Sequence, residues 1–418
     1  MAGESAVAVR MYNVGFGDAF LVTVRRHDRV WRMLIDCGVH SQGQARPIGD
    51  VVRAITSDLQ AADPGGTPHL DVVVATHHHA DHISGFAQPE WENVVVDEVW
   101  LPFVEDQADP DAVALRRAQT MAAQRLLGLI ERRTHGLSPG AWPAPMVMAR
   151  WFAVNSLGNA DATDRLVGRN GQHFANKHHV RYLPGTTENA NKIDVGADDV
   201  IVHVLGPSRN AGDLKVMDPP ASAGWLQLEG ADDVTATTLF PLFNAGYVVS
   251  DPGRLPETLC EAQATLHLER VTNDTGLLSA AAILERSVNN TSVFLVLDVA
   301  GTRLLFPGDA QYGAWEHVLN DPRKRGLVLD AAFYKIGHHG SHNATPKRFV
   351  EEIWHDGAYA MLPWGLVKRW QDSIPKKELL EALRAHGHTV IRADAPTAEP
   401  DKVTVHEDLW SEVVFRTR

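Results

Sequence analysis

The stretch that most constrains the fold of this chain is His77-His78-His79-Ala80-Asp81-His82, which follows a short apolar run. That run, residues 72–75, reads Val-Val-Val-Ala, the continuous apolar pattern of a strand buried on both faces. Loops at the carboxyl ends of such strands are where α/β proteins place their chemistry. The pattern therefore predicts a buried strand of a layered α/β fold, with a cluster of polar ligands at its end.

The rest of the chain alternates between predicted strands and helices, without a repeat at the periods typical of solenoids. Helical spacing of apolar residues predicts helices over 48–59, 111–133, 277–286 and 376–386. Apolar and alternating runs predict strands over 7–11, 19–24, 31–35, 94–101, 200–205, 292–299, 302–306, 328–336, 359–362 and 389–392. Strands dominate both halves, which predicts two sheets with helices packed outside them.

The composition excludes several classes of protein. Charged residues make up 22% and no apolar run reaches the length of about 20 residues that spans a bilayer, so we predict no membrane partner. The first residues lack a basic start and a long apolar core, so we predict no secretory signal. Only Cys37 and Cys260 are cysteines, which excludes a disulfide scaffold and predicts a cytoplasmic location. The formal net charge of −13 argues against a broad basic surface for duplex nucleic acid.

The spacing within the histidine cluster predicts two neighbouring metal sites. In a tight loop, side chains two positions apart can project the same way, so His77 and His79 can bind one cation. Asp81 and His82 then face a neighbouring position. Nitrogen and carboxylate ligands at this density suit Zn²⁺, with Mn or Fe as alternatives. A solvated, histidine-rich loop is the other reading, and the buried strand before the cluster disfavours it.

Three further segments place polar residues where a predicted strand ends. Asp309 ends a hairpin strand at Pro-Gly-Asp, where a carboxylate can bridge two metal ions about 3.5–4 Å apart. The segment His338-His339-Gly340-Ser341 follows an apolar strand and offers a further histidine. Asp36 ends the third strand, where a buried carboxylate can orient a metal-binding histidine through its free ring N–H.

The order of these residues resembles that of the metallo-β-lactamase superfamily: Asp36, then His77 to His82, then Asp309, then His338. The resemblance spans about residues 7–395. It implies an α/β fold, a four-layer αββα sandwich of two mixed sheets, in which each of these elements ends a strand at one common edge. It also implies a single domain over residues 1–418, with helical or irregular insertions at about 102–190 and 208–285.

A narrower resemblance is to the soluble hydrolase domains of the ComEC family of competence DNA-uptake proteins. The segments that carry it are Asn13-Val14-Gly15-Phe16-Gly17-Asp18-Ala19, Asn289-Asn290-Thr291-Ser292, Phe306-Pro307-Gly308-Asp309-Ala310 and Lys335-Ile336-Gly337-His338-His339-Gly340-Ser341. It implies that Asp18 lies in a loop near the metal edge. Many superfamily members carry a histidine where Asn289 and Asn290 stand, so Asn290 or a water would take its place, or the first site would bind its metal weakly.

The resemblance also assigns roles to individual residues. Two zinc ions per chain are expected, the first held by His77, His79 and Asp309. The second would be held by Asp81, His82, Asp309 and His338, the last chosen over His339 from the family pattern. The candidate catalytic residues are Asp81, His339, Lys335 and Ser341. Lys335 and Ser341 would contact an anionic substrate, or else be a plain strand-surface residue and a plain loop residue. The residues expected to support the ligands are Asp18, Asp36, Asn289 and Asn290.

We therefore predict a binuclear metal-dependent hydrolase that uses a metal-bound hydroxide on a phosphodiester. The substrate would be an anionic small molecule such as a nucleotide, or single-stranded nucleic acid, and the acidic charge favours the smaller one. A carboxylic ester, lactone or thioester is the alternative substrate, because the same metal edge supports acyl chemistry. A binding or regulatory module with a dead site is the third alternative, and the missing histidine motivates it.

Overall fold

The computed structural model describes residues 5–26, 29–62, 65–197, 199–220, 223–225, 268–368 and 373–417. Cys260 and most of the predicted insertion over 208–285 therefore lie outside the described residues. Cys37 is buried and carries a free thiol. Within the described ranges, no helix combines the length and the apolar character needed to cross a membrane.

The first sheet mixes antiparallel and parallel pairs. Its strands are β1 (Ala6–Tyr12), β2 (Ala19–Arg26), β3 (Arg29–Cys37), β4 (His69–Val74), β5 (Val95–Pro102), β6 (His179–Leu183), β14 (Val403–His406) and β15 (Trp410–Arg416). Their order across the sheet is β14-β15-β1-β2-β3-β4-β5-β6. The pairs from β14 to β3 are antiparallel and those from β3 to β6 are parallel, so β3, β4 and β5 end at the same edge.

The second sheet repeats this mixture. Its strands are β7 (Lys192–Asp194), β8 (Val200–Gly206), β9 (Phe294–Val299), β10 (Thr302–Phe306), β11 (Ala331–Lys335), β12 (Tyr359–Leu362) and β13 (Thr389–Arg392). Their order is β13-β12-β11-β10-β9-β8-β7. The strands from β10 to β13 run parallel to one another, so the residues that follow β10 and β11 also meet at one edge.

The helices of the described residues lie mostly between strands in the chain. They are α1 (Ile48–Ala62), α2 (Ala80–Ile83), α3 (Pro110–Thr134), α4 (Ala144–Asn155), α5 (Ala160–Val167), α6 (Ala211–Leu214), α7 (Leu268–Asn289), α8 (Tyr312–Leu319), α9 (Pro322–Val328) and α10 (Lys377–Ala385). The first, α1, forms because Val51, Val52, Ile55 and Leu59 recur at helical spacing and bury one face.

Three apolar clusters hold the two sheets and their helices together. Val9 and Val74 of the first sheet pack against Leu297 and Phe306 of the second, which makes the central core. A second cluster packs α1 and α5 on the outer face of the first sheet. A third packs α8 and α10 on the outer face of the second sheet. The order is helix, sheet, sheet, helix, which confirms the predicted α/β sandwich of two mixed sheets.

The described residues belong to two compact units. The first comprises Met1–Arg116, Gly158–Leu228 and Ser287–Arg418, and it contains both sheets. The second comprises the described residues within Arg117–Leu157 and Glu229–Arg286. Within the second unit an apolar cluster forms around Ile130, Met146, Ala149 and Leu278.

Two differences from the sequence-based elements have clear physical reasons. The strand predicted over 328–336 begins later, because the side chain of Asp321 caps α9 and this helix continues to Val328. The apolar run thus contains the end of a helix and the start of a strand. The periodicity of so short a run does not show where one ends and the other begins. The strands β14 and β15 were not predicted: β14 is short and pairs with β15, and β15 pairs with β1, which lies at the other end of the chain.

Candidate metal centre

His77 and His79 lie in the loop that directly follows β4, and both are almost fully buried. The Nε2 atom of His77 lies 3.1 Å from Nδ1 of His79. Burial is the main cause that lowers the pKa of both imidazoles, to about 3 for His79 and well below the ordinary value for His77. Neutral imidazoles carry the lone pairs that bind metal ions, so these two rings are in the form a cation requires.

The other nitrogen of His77 is held by two hydroxyl groups. Its Nδ1 lies 3.1 Å from Oγ1 of Thr76 and 3.2 Å from Oγ of Ser292. The Ser292 hydroxyl also accepts the backbone N–H of Asp309 at 3.1 Å. A proton on Nδ1 that is donated to these oxygens leaves the Nε2 lone pair of His77 directed at His79.

His82 connects the two sheets of the sandwich. Its Nε2 lies 3.0 Å from Oδ2 of Asp309, and its Nδ1 lies 2.8 Å from Oδ2 of Asp36. Asp36 is itself fixed, because it accepts the backbone N–H and the hydroxyl of Thr76 at 2.7 and 2.8 Å. Burial lowers the pKa of His82, but the carboxylates of Asp309, Asp18 and Asp36 outweigh it and raise this pKa well above its ordinary value.

His339 faces Asp81. Its Nδ1–H donates to the carbonyl oxygen of Pro363 at 2.6 Å, and its Nε2 lies 3.4 Å from Oδ2 of Asp81. The ring is fully buried and packs on Phe16, with ring centroids 4.0 Å apart. Burial would raise the pKa of Asp81, but the contact with His339 and the charge of His82 lower it below its ordinary range. Asp81 is therefore ionised and ready to bind a cation.

His338 has a different environment from the residue beside it. It is only partly buried, and its backbone N–H donates to Oδ1 of Asp309 at 3.0 Å. Its Nε2 lies 3.4 Å from the Nδ2 atom of Asn289. Both His338 and His339 have positive φ angles, 44° and 52°, and their ring planes are 56° apart. The structure thus brings His339 to Asp81, the position that the family pattern assigned to His338.

Lys335 is enclosed by acceptors and does not face an open surface. Its Nζ lies 2.5 Å from Oδ2 of Asp18, 2.9 Å from Oδ1 of Asp309 and 3.0 Å from the carbonyl oxygen of Gly308. Burial lowers the pKa of Lys335, but the charges of Asp18 and Asp309 raise it above its ordinary value. The ammonium group of Lys335 is therefore directed at Asp18, Asp309 and Gly308, whereas the sequence predicted a contact with the substrate.

Ser341 and Asn290 are also directed into the protein framework. The hydroxyl of Ser341 donates to Oδ1 of Asn343 at 3.1 Å. The Nδ2 of Asn290 donates to the carbonyl oxygens of Asp213, Leu214 and Val216, and its Oδ1 accepts the backbone N–H of Gln311. With all of its amide atoms engaged, Asn290 is not placed to replace the missing histidine.

The residues brought together fit divalent cations. His77, His82 and Asp309 each offer one ligand atom, and these atoms lie within 4.8 Å of one another. Several buried polar atoms have no hydrogen-bond partner among the described residues: Oδ1 of Asp81, Nε2 of His79 and Nδ1 of His338. Such atoms are rare in proteins unless something else binds them. Imidazole nitrogens with carboxylate oxygens suit Zn²⁺, Mn²⁺ or Fe²⁺.

Two supporting interactions were not predicted from the sequence. The hydroxyl groups of Thr76 and Ser292 contact Nδ1 of His77. In the sequence, the only signal for this role is their position beside predicted ligands. The middle histidine, His78, turns away and its Nδ1 lies 2.8 Å from Oε1 of Glu105, whose other oxygen accepts from Arg116 at 2.7 Å. Glu105 is remote from the cluster in sequence, so no local pattern could identify it.

Comparison with known proteins gives a partial similarity. No family model matches the chain. The chain is similar to ComE operon protein 3 of Bacillus subtilis (strain 168), with 29% identity over 119 residues. The match covers 28% of this chain and 14% of that relative, so the chain spans about one seventh of the relative's length. The molecule thus combines partial similarity to a ComE operon protein with buried histidine and aspartate groups that could hold metal ions.

Proposed function

We propose that this chain is a metal-dependent hydrolase of the metallo-β-lactamase fold with a binuclear centre. The observation that carries the proposal is the convergence of the histidine loop after β4 with Asp309 and His339, which follow two strands of the other sheet. His77, His79 and Asp309 would hold one cation, and Asp81, His82, His339 and Asp309 would hold the other. Two bound cations would supply an acidified water and would polarise the leaving oxygen of a substrate.

The side chains around these ligands prepare them for that role. The Nδ1 protons of His82 and His339 are directed at Asp36 and at a backbone carbonyl, so both Nε2 atoms face the centre. Because neighbouring carboxylates raise the pKa of His82, a cation must displace a proton from its Nε2. Uptake of metal should therefore release protons and weaken as the pH falls.

A phosphodiester is the substrate class that we propose. The support is the resemblance of four sequence segments to the hydrolase domains of ComEC proteins. The net charge of −13 favours a small phosphodiester, such as a nucleotide, over a long nucleic acid, whose binding depends on neutralised phosphates. A carboxylic ester remains the alternative substrate, since the same ligands support acyl transfer.

The test is release of p-nitrophenol from bis(p-nitrophenyl) phosphate, with p-nitrophenyl acetate assayed in parallel. The chain would be purified without metal and supplied with Zn²⁺ or Mn²⁺. We expect metal-dependent turnover of the diester that is lost in Asp309→Asn and kept in Asp408→Asn, a change of an exposed aspartate. Turnover of the acetate alone would identify an acyl hydrolase, and no turnover despite bound metal would identify a binding module.

A further inference from the structure

One buried lysine is shared by two carboxylates at the edge of the candidate centre. We propose that Lys335 and Asp18 form a charge-compensating pair that leaves only one oxygen of Asp309, Oδ2, for a cation. The inference rests on the proposed metal centre and adds to it the coordination mode of its central carboxylate. It makes Lys335 a positioning residue that acts through Asp309.

The two oxygens of Asp309 have different partners. Oδ1 accepts from the ammonium group of Lys335 at 2.9 Å and from the backbone N–H of His338 at 3.0 Å. Oδ2 lies 3.0 Å from Nε2 of His82, on the side where the histidine rings meet. Because two donors already occupy Oδ1, a cation beside His82 meets Oδ2 alone.

Asp18 lies behind the histidines and does not join their metal-facing atoms. Asp18, His82 and His339 lie close enough together to hold an ion themselves. However, the nitrogens that approach Asp18 are the Nδ1 atoms, at 3.5 Å for His82 and 3.9 Å for His339. These nitrogens already face Asp36 and the carbonyl oxygen of Pro363. Asp18 is therefore the counter-ion of Lys335, at 2.5 Å, and not a ligand.

Burial makes each charge of the pair dependent on its partner. The side chains of Lys335, Asp18 and Asp309 are each 2% exposed, so bulk water does not solvate their charges. Removal of one partner from a buried ion pair leaves an uncompensated charge and is strongly destabilising. Removal of Lys335 and Asp18 together keeps the net charge constant, so the double change isolates the effect on Asp309.

The experiment uses Co²⁺ as the metal, because its visible absorption weakens as its coordination number rises. The variants are Lys335→Met, Asp18→Asn and the double variant, each checked for folding by circular dichroism. Lys324→Met is the matched control, since Lys324 is a partly buried lysine that donates to the carbonyl oxygen of Leu205. Co²⁺ affinity is measured by titration in the same samples.

The double variant should fold, bind Co²⁺ about 10- to 100-fold more weakly than the wild type, and absorb more weakly when saturated. The loss of absorption follows because Oδ1 of Asp309 loses its ammonium donor and keeps only the backbone N–H of His338, so that a lone pair of Oδ1 can also reach the metal. Lys324→Met should match the wild type in both measurements. A folded double variant with the affinity and spectrum of the wild type would overturn the proposal.

A second measurement tests the coordination of Asp309 without a substitution of Lys335. The infrared carboxylate bands of Asp309 are obtained as the difference between metal-loaded wild type and Asp309→Asn. One-oxygen coordination is expected, and a two-oxygen pattern would overturn the proposal even if the double variant does not fold. Binding of Co²⁺ by the wild type without any hydrolysis would refute the proposed enzyme and leave this inference standing, whereas no binding of Co²⁺ would refute both.

Discussion

The Nε2 atom of His82 lies 3.0 Å from Oδ2 of Asp309, although 227 positions separate the two residues in the chain. His82 follows a strand of the first sheet and Asp309 follows a strand of the second. Both side chains are buried, so the contact exists only when the two sheets are packed together. A cation that binds both residues would therefore stabilise the folded sandwich as well as complete the site.

Gly308 permits the close approach of the two sheets beside Asp309. A Cβ atom at this position would lie 2.8 Å from Cβ of Ser292 and 2.9 Å from Cβ of Thr76. Gly308→Ala should cost about 1–3 kcal/mol more than Gly301→Ala, because it adds overpacking to the strain of a positive φ. Gly301 has a φ of 86° and open space around its Cβ position. Urea unfolding of both variants measures the difference, and equal losses would show that the contact is dispensable.

Ser292 is expected to set the orientation of His77. Its hydroxyl contacts Nδ1 of His77 and accepts the N–H of Asp309, so it joins ligands of both sheets. Ser292→Ala should lower Zn²⁺ affinity about 10- to 100-fold, as measured by competition with a chromogenic chelator. The control is Ser411→Ala, which removes a similarly buried hydroxyl without a hydrogen-bond partner among the described residues. If both variants keep the affinity of the wild type, Ser292 does not position His77.

Asn290 should act as a framework residue and not as a ligand. Its amide binds three backbone carbonyls and one backbone N–H. Asn290→Ala should destabilise the fold by about 1–3 kcal/mol, because buried backbone groups lose their partners. The exposed Asn320→Ala should change stability little. At a temperature where it is folded, the Asn290 variant should keep the Co²⁺ spectrum of the wild type, and an altered spectrum would make Asn290 a ligand.

His388 gives the stability of the protein a pH dependence away from the metal centre. Its ring stacks on Trp354, with centroids 3.8 Å apart, and its Nδ1 accepts the N–H of Ala358. Burial lowers the pKa of His388 from 6.5 to about 4. As the pH falls below 6.5 the unfolded chain binds this proton first, so the free energy of unfolding decreases until about pH 4.

Urea unfolding between pH 4 and pH 7.5 tests this assignment. We expect a flatter dependence on pH in His388→Gln than in the wild type. His135→Gln, a change of an exposed histidine, should leave the dependence of the wild type intact. If His388→Gln follows the wild-type curve across the range, another group controls the acid sensitivity.

The parts of the site that depend on local pattern were predictable from the sequence. The run from His77 to His82 follows a buried strand, and Asp36 and Asp309 stand at strand ends, so period and position mark them as candidates and the family resemblance groups them. The sandwich followed from the order of strands and helices together with the family resemblance. These features depend on short segments, and the apolar pattern of a short segment can be recognised without knowledge of its tertiary contacts.

The remaining features depend on long-range geometry. His338 and His339 lie in a Gly-flanked loop where both have positive φ angles, and the sequence of this loop does not specify which ring faces Asp81. The role of Lys335 depends on Asp18, which reaches it only after the first and second sheets pack. The strand β15 was missed for a similar reason, since its partner β1 is at the other end of the chain, and the short β14 pairs with β15.

The measurement that tests the central claim most directly is the metal content of the purified chain after it is loaded with Zn²⁺ and freed of excess metal. The wild type and Asp309→Asn would be compared by elemental analysis, with folding checked by circular dichroism. The account predicts about two zinc ions per chain in the wild type, and at most one in the variant, because Asp309 contributes to both sites. A folded wild-type chain that retains no zinc, or a variant that retains as much as the wild type, would contradict it.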